Sequence, residues 1–316
     1  MTRLAGMLAA ALSLAIASVA LAGAQPVRTT PLADVLQATV HIPNLSWLTA
    51  SGGYVWTKRD DGFVTRIDPR TNMAEGKIGA FTGGDTYCQG IGAGGGSIWS
   101  CKRSSITRID PARMAIVATI PARKVYDQGR LVFAAGRLWV VSGDNADALV
   151  GINPATNKLD RQVKLPAACS DLAQGGPAVW VLCPNSNRVV KVDPVRRMVV
   201  GTATLSAPTA GFATPTDLWV GTDAGIVRLD AKTLKPRARI AGPDTSEGDV
   251  LVDGNRVWAR SSNGFLFLID SQTNRIVQHV TGEDGYGGGT LLLASGSLWT
   301  GAEDASLLLR LKRAGH

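Results

Sequence analysis

The chain has 316 residues, 36 of them glycine, with 33 basic and 25 acidic side chains and a formal charge of +8. No segment beyond residue 30 carries a sustained 3.6-residue apolar period, which excludes a helical bundle, and the glycines favour an all-β chain with many tight turns. So modest a positive charge permits an anionic partner without demanding one.

The first residues read apart from the rest. Met1-Thr2-Arg3 is a short positive start, and the 19 residues Leu4 to Ala22 carry no charge. Ala22-Gly23-Ala24 is a small-x-small cleavage pattern before Gln25, so residues 1–24 read as a secretory signal peptide and 25–34 as a linker. The rival is an uncleaved membrane anchor, since that apolar run nearly spans a bilayer. No cysteine lies near residue 25, which excludes a lipoprotein anchor. Cleavage removes Arg3 and no acid, leaving 32 basic against 25 acidic residues, a charge of +7. The expected mature protein is periplasmic or secreted, monomeric and without a membrane span.

From residue 35 onward a tryptophan keeps returning, at 56, 99, 139, 180, 219, 258 and 299, in steps of 43, 40, 41, 39, 39 and 41 residues. Most are followed about ten residues later by a basic or apolar pair and an acid, as in Arg66-Ile67-Asp68-Pro69, Arg108-Ile109-Asp110-Pro111 and Lys191-Val192-Asp193-Pro194. A period near forty filled with short strand-like runs predicts an all-β, seven-bladed β-propeller with four strands per blade, one closed domain over residues 35–316. In blade 2 the predicted strands A to D are Gln89 to Ala93, Ser97 to Arg103, Ile106 to Asp110 and Ala115 to Pro121. Asp110-Pro111 opens the C–D turn. The acids recurring there (Asp68, Asp193, Asp230, Asp270, with Asn153 as substitute) read as structural, and the tryptophans as packing between blades.

Blade 7 runs out after Leu311 without a fourth strand. Gln37 to Pro43 resembles the fourth strand of blade 2, Ile116 to Pro121, so the N-terminal segment is expected to close the last blade and hide its edge. Cys88 and Cys101 bracket one hairpin, and Cys169 and Cys183 the equivalent hairpin two blades on. Folding either hairpin brings its sulfurs together, which predicts two disulfides in an oxidising compartment. Four buried free thiols are the alternative.

The repeat resembles the periplasmic YVTN/YncE-like propellers and, more distantly, the streptogramin (virginiamycin B) lyase propellers. The likeness rests on Val190 to Pro194, Ile106 to Pro111, Ile116 to Pro121 and Gly296 to Trp299, and extends over residues 35 to 313. It implies the fold more than an activity, because these are the strand and turn residues themselves. The first family implies binding of single-stranded DNA. The second implies lyase chemistry with channel histidines and Mg²⁺, but His41 and His279 fall on outer strands and His316 is the last residue.

A site is expected where the D–A and B–C loops open around the channel. The loops leading into the A strands carry Asp85, Tyr87, Tyr126, Arg130, Asp171, Glu247, Asp249, Asp284 and Tyr286, and Trp47 stands near the start of strand A in blade 1. The B-strand exits add Lys58, Arg59, Lys102, Arg103 and Arg260. A cationic arc beside aromatic rings suits an anionic or planar ligand. The expected function is therefore an exported, non-catalytic protein binding a small-molecule or anionic ligand, single-stranded nucleic acid included, with no cofactor. The alternative is a metal-dependent lyase or lactone hydrolase of the streptogramin-lyase or gluconolactonase type. There Asp85, Asp171, Glu247, Asp249 and Asp284 would hold Ca²⁺ or Mg²⁺.

Overall fold

The computed structural model describes residues 26–79, 88–126 and 128–313. The proposed signal peptide lies outside them, as do Asp85 and Tyr87. Blade 2 shows the repeating unit: Ile91–Gly94, Ser97–Lys102, Ser105–Asp110 and Ala115–Pro121 pair antiparallel in chain order. We call these strands A to D, counted from the channel outward. Burial explains the residue choice. Strand B is enclosed on both faces and reads as a near-continuous buried run, as in Val179–Cys183, whereas the outer strand Met198–Thr204 alternates between exposed and half-buried positions.

Among the described residues the strands form six sheets. The eight-stranded one is two four-stranded units joined where Gln174 and Gly175 pair in parallel with Phe212 and Ala213. Gly175 makes this approach possible: its φ is +74°, and a Cβ there would lie 2.5 Å from the Ala213 carbonyl oxygen. Seven four-stranded units result, and strand A of each adjoins strand A of the next all the way round to the first. The fold is a β-propeller.

The N-terminal strand completes the last blade as its sequence suggests. Leu36–His41 pairs antiparallel with Leu307–Leu311, Ala38 opposite Arg310 and Val40 opposite Leu308. The preceding residues, read from the sequence as linker, are ordered as well. Arg28–Pro31 adds a fifth strand, in parallel, to the outer edge of blade 6 against Gln278–Thr281. A single helical turn, Leu32–Val35, then carries the chain to blade 7. Leu32 is buried in the apolar cluster that holds Leu309 and Leu311, which pins the turn. Arg28–Pro31, four residues with one half-buried side chain and none buried, is too short to announce a strand by pattern.

The core lies between blades. All seven repeat tryptophans are at most 2% exposed, and each cluster joins neighbours: Trp299 of blade 7 packs with Leu45, Leu48 and Val55 of blade 1. The indole N–H of Trp56, Trp99, Trp139 and Trp299 donates to a carbonyl five residues earlier, at 2.9–3.1 Å. In blades 2, 5 and 7 the arginine on strand C opposite the tryptophan is a strut. Arg108, Arg228 and Arg310 each lie over their own tryptophan, 4.8–5.3 Å from the ring centre. Their guanidinium groups donate onward to the C–D turn of the next blade: Arg108 to Pro154 O and Asn157 Oδ1, Arg228 to Ser271 O and Asn274 Oδ1, Arg310 to Pro69 O and Asn72 Oδ1. The last of these crosses the seam between blades 7 and 1.

The turn acids are structural. Oδ1 of Asp110, Asp193, Asp230 and Asp270 each accepts two backbone N–H groups of its own turn. Both predicted disulfides are present, Cys88–Cys101 and Cys169–Cys183, closing loops of 13 and 14 residues. Each should contribute about 3 kcal/mol in the chain-entropy picture. Replacing either pair by serine is expected to lower Tm by roughly 6–12 °C. A calorimetric scan showing no change would contradict a stabilising role. No helix among the described residues is long and apolar enough to cross a membrane.

Candidate functional site

Strands A begin, and strands B end, at the same end of the ring. That end opens into a cavity of about 640 Å³ to which all seven blades contribute. Of the residues singled out from the sequence, Trp47, Tyr126, Arg130, Asp171 and Glu247 line it. Gln89, Gln128, Ser170, Asn185 and Thr209 make the rest of the wall largely polar and uncharged.

Its floor is a buried ionic cluster assembled from blades 3, 4 and 6. Arg130, 6% exposed, donates to both carboxylate oxygens of Asp249 at 3.0 and 3.3 Å, and its backbone N–H donates to Asp171 Oδ1 at 2.7 Å. Asp249 also accepts the N–H of Val250 and of Leu291, and Asp171 that of Leu172. Desolvation pushes Asp171 up to about 6 and raises Asp249 too, against the pull of Arg130. Arg130 also stacks 4.9 Å from the ring centre of Trp47, tying blade 3 to blade 1 across the channel.

The expected cationic arc does not form. Lys58 and Arg260 are wholly buried. The Lys58 ammonium donates to Gly62 O and Cys101 O, at 3.1 and 3.2 Å. Arg260 donates to the carbonyls of Ser261, Phe265, Tyr286, Gly288 and Gly301. Both residues stand two places after their tryptophan and reach the residue at the same place in the next blade, Cys101 and Gly301. They are therefore inter-blade staples. Burial, with Lys102 adding to it, pushes Lys58 down to about 7, and burial lowers Arg260 to about 10. Arg59 pairs with Asp61 at 2.5 Å. Lys102 lines a separate small crevice between blades 1 and 2, and Arg103 is exposed away from the cavity. Asp284 is exposed outside the cavity, and Tyr286 packs on Phe265, ring centres 6.2 Å apart.

Sequence reasoning missed Glu303 and Asp304, in the B–C loop of blade 7, which stand in the cavity wall. They share it with Gly288 and Gly289, and the neighbouring Gly287 gives Asp304 room, since a Cβ there would lie 2.5 Å from Asp304 Oδ2. Burial, followed by the negative charge of Asp60, Asp304 and Glu247, pushes the Glu303 carboxyl up to about 7. The mouth is thus more acidic than basic.

No protein-family model matches the chain, and comparison with curated proteins finds no match. Among solved structures, the WD40 domain of Neurospora crassa Pan2 superimposes with a TM-score of 0.73, covering 92% of this chain and 98% of that one at 8% identity. The likeness is one of fold. It confirms the β-propeller and assigns neither the YncE-like nor the streptogramin-lyase family.

The residues fit a divalent metal poorly. Among the described residues no three His, Cys, Asp or Glu side chains are placed to hold an ion together. Asp249 already spends both oxygens on Arg130 and backbone N–H groups, and Asp171 Oδ1 accepts two backbone N–H groups. His279 stacks on Phe267 at 4.3 Å on the outer face of blade 6, remote from the channel.

Proposed function

We propose that this is an exported propeller that binds a small polar ligand or a partner's side chain at the channel mouth, without chemistry. One observation carries the reading: a polar cavity walled by loops of every blade and floored by a largely buried ionic cluster. A concave site with a few converging polar groups on a stiff scaffold is the usual form of a ligand pocket. The two disulfides support an oxidising, exported setting. The enclosure of Lys58 and Arg260 speaks against single-stranded DNA as the ligand, because phosphate binding needs cations that solvent can reach.

A thermal-shift screen across amines, sugars, nucleotides, lactones and short single-stranded DNA, with and without EDTA, tests the reading. At least one class should raise Tm in the native protein and lose that effect in Trp47→Ala. Ligand shifts that persist unchanged in that variant would place binding elsewhere.

A further inference from the structure

We propose that the end of the ring opposite the mouth docks on an anionic lipid surface, through the C–D turns of blades 4 and 5. This concerns the other face of the molecule and stands or falls separately from binding at the mouth.

Position comes first. Strands A begin and strands B end at the mouth, so the C–D turns close at the far end. The turns of blades 4 and 5 adjoin. Lys191 Nζ donates to Ala231 O at 2.6 Å, and strand D of blade 4 lies so near Leu234 that a Cβ on Gly201 would stand 2.5 Å from its Cδ1. The shared surface presents Val195, Arg196, Arg197 and Met198 from blade 4 and Lys232 and Lys235 from blade 5, all six exposed.

The charge of the molecule is concentrated here. Residues 188–240 hold nine basic and four acidic side chains, a net +5 within a chain of +8. The acids of the two turns are occupied. Oδ1 of Asp193 and of Asp230 each accepts two backbone N–H groups, and Asp230 also pairs with Arg237. Arg196 leans on Asp193 at 3.7 Å, whereas Arg197, Lys232 and Lys235 make no ion pair among the described residues. Each of the other four C–D turns adds an exposed base, Arg70, Arg113, Lys158 and Arg275. The ring is therefore polarised, basic at this end and acidic at the mouth. The negative potential of an anionic leaflet attracts the basic end and leaves the mouth facing water.

The apolar side chains decide the kind of polyanion. Val195 is 76% and Met198 50% exposed, one on each side of the arginine pair. Aliphatic tips among cations suit a lipid interface: the tips enter the acyl boundary while the cations meet headgroup phosphates. A nucleic acid would use the same cations but gains from rings on which bases stack, and none of the six C–D turns carries an aromatic residue.

Vesicle flotation tests the proposal, with vesicles of phosphatidylcholine alone or containing about 30% phosphatidylglycerol. The native protein should partition at least roughly tenfold more strongly onto the anionic vesicles, and high salt should weaken it. At roughly fivefold for each basic residue, Arg197→Asn with Lys232→Gln and Lys235→Gln should lose about a hundredfold. Val195→Ser with Met198→Ser should remove the part of the binding that survives high salt. Arg103→Gln with Lys124→Gln, at the mouth end, should change nothing. All these side chains are exposed, so each variant should melt with the native protein. Any anchoring by residues 1–24 is common to every variant. Equal binding to both vesicles, an unchanged triple variant, or an equal loss in the mouth-end variant would each overturn the docking face. Binding indifferent to Val195 and Met198, or single-stranded DNA bound through the same cations while the vesicles are ignored, would overturn the lipid as its partner.

Discussion

Arg130→Met is expected to destabilise the protein by about 3–5 kcal/mol, the usual cost of removing one partner from a buried ion pair. That corresponds to a fall of roughly 10 °C in Tm. The loss is not that of the methylenes, which methionine largely replaces. It comes from Asp249 and Asp171, 0% and 5% exposed, left as buried carboxylates with only backbone N–H partners. The pH dependence has a definite sign. Burial already holds Asp171 at about 6. An acid whose folded pKa is raised binds more protons folded than unfolded, so stability falls as pH climbs from the ordinary carboxylate range to the raised value. Without Arg130 both values rise further. The defect should therefore be larger at pH 8 than at pH 5, and adding Asp249→Asn should recover part of it. Denaturation midpoints of the single and double variants at both pH values check this. A defect independent of pH would mean the cluster is not ionised as described.

Deleting residues 26–41 is expected to cost even more. The deletion removes strand Leu36–His41, the added strand Arg28–Pro31 and the buried Leu32 and Val40. At 1.5–3 kcal/mol for each buried aliphatic side chain, those two alone represent roughly 3–6 kcal/mol as an upper bound, before the lost strand pairing. Leu307–Leu311 would be left as an unpaired apolar edge, an invitation to association. The shortened protein should melt well below the native one and form soluble aggregates on size exclusion. A synthetic peptide covering residues 26–43 should restore part of the Tm. A shortened protein that stays monomeric with an unchanged melt would refute closure by the N-terminal strand.

The fold was legible because its signals are local and repeated. Trp99 and Asp110 do the same work in blade 2 that Trp258 and Asp270 do in blade 6, so chance patterns average away. The disulfides were legible for a related reason: a hairpin fixes which positions face each other. The mouth was legible only as a place. Arg130, Asp171 and Asp249 were found, but their union is not in the local pattern, since the partners lie 41 and 119 residues apart. Lys58 and Arg260 were misplaced because a basic residue at a strand end looks the same whether solvent or a neighbouring carbonyl receives it. A signal existed: the equivalent positions in other blades are Cys101, Val141, Leu182, Gly221 and Gly301, all uncharged, as suits an interior place. Glu303 and Asp304 were passed over because the acids were sought before strand A, while these follow strand B.

The seam of the ring has a consequence for biogenesis. Leu36–His41 is synthesised long before its partner Leu307–Leu311. Until the ribosome has released Leu307–Leu311, the circle stays unsealed, however well the middle blades have assembled. A product that stops before Leu307 lacks the partner of Leu36–His41 and cannot lock the ring, so closure reports that the chain has been made through its last blade.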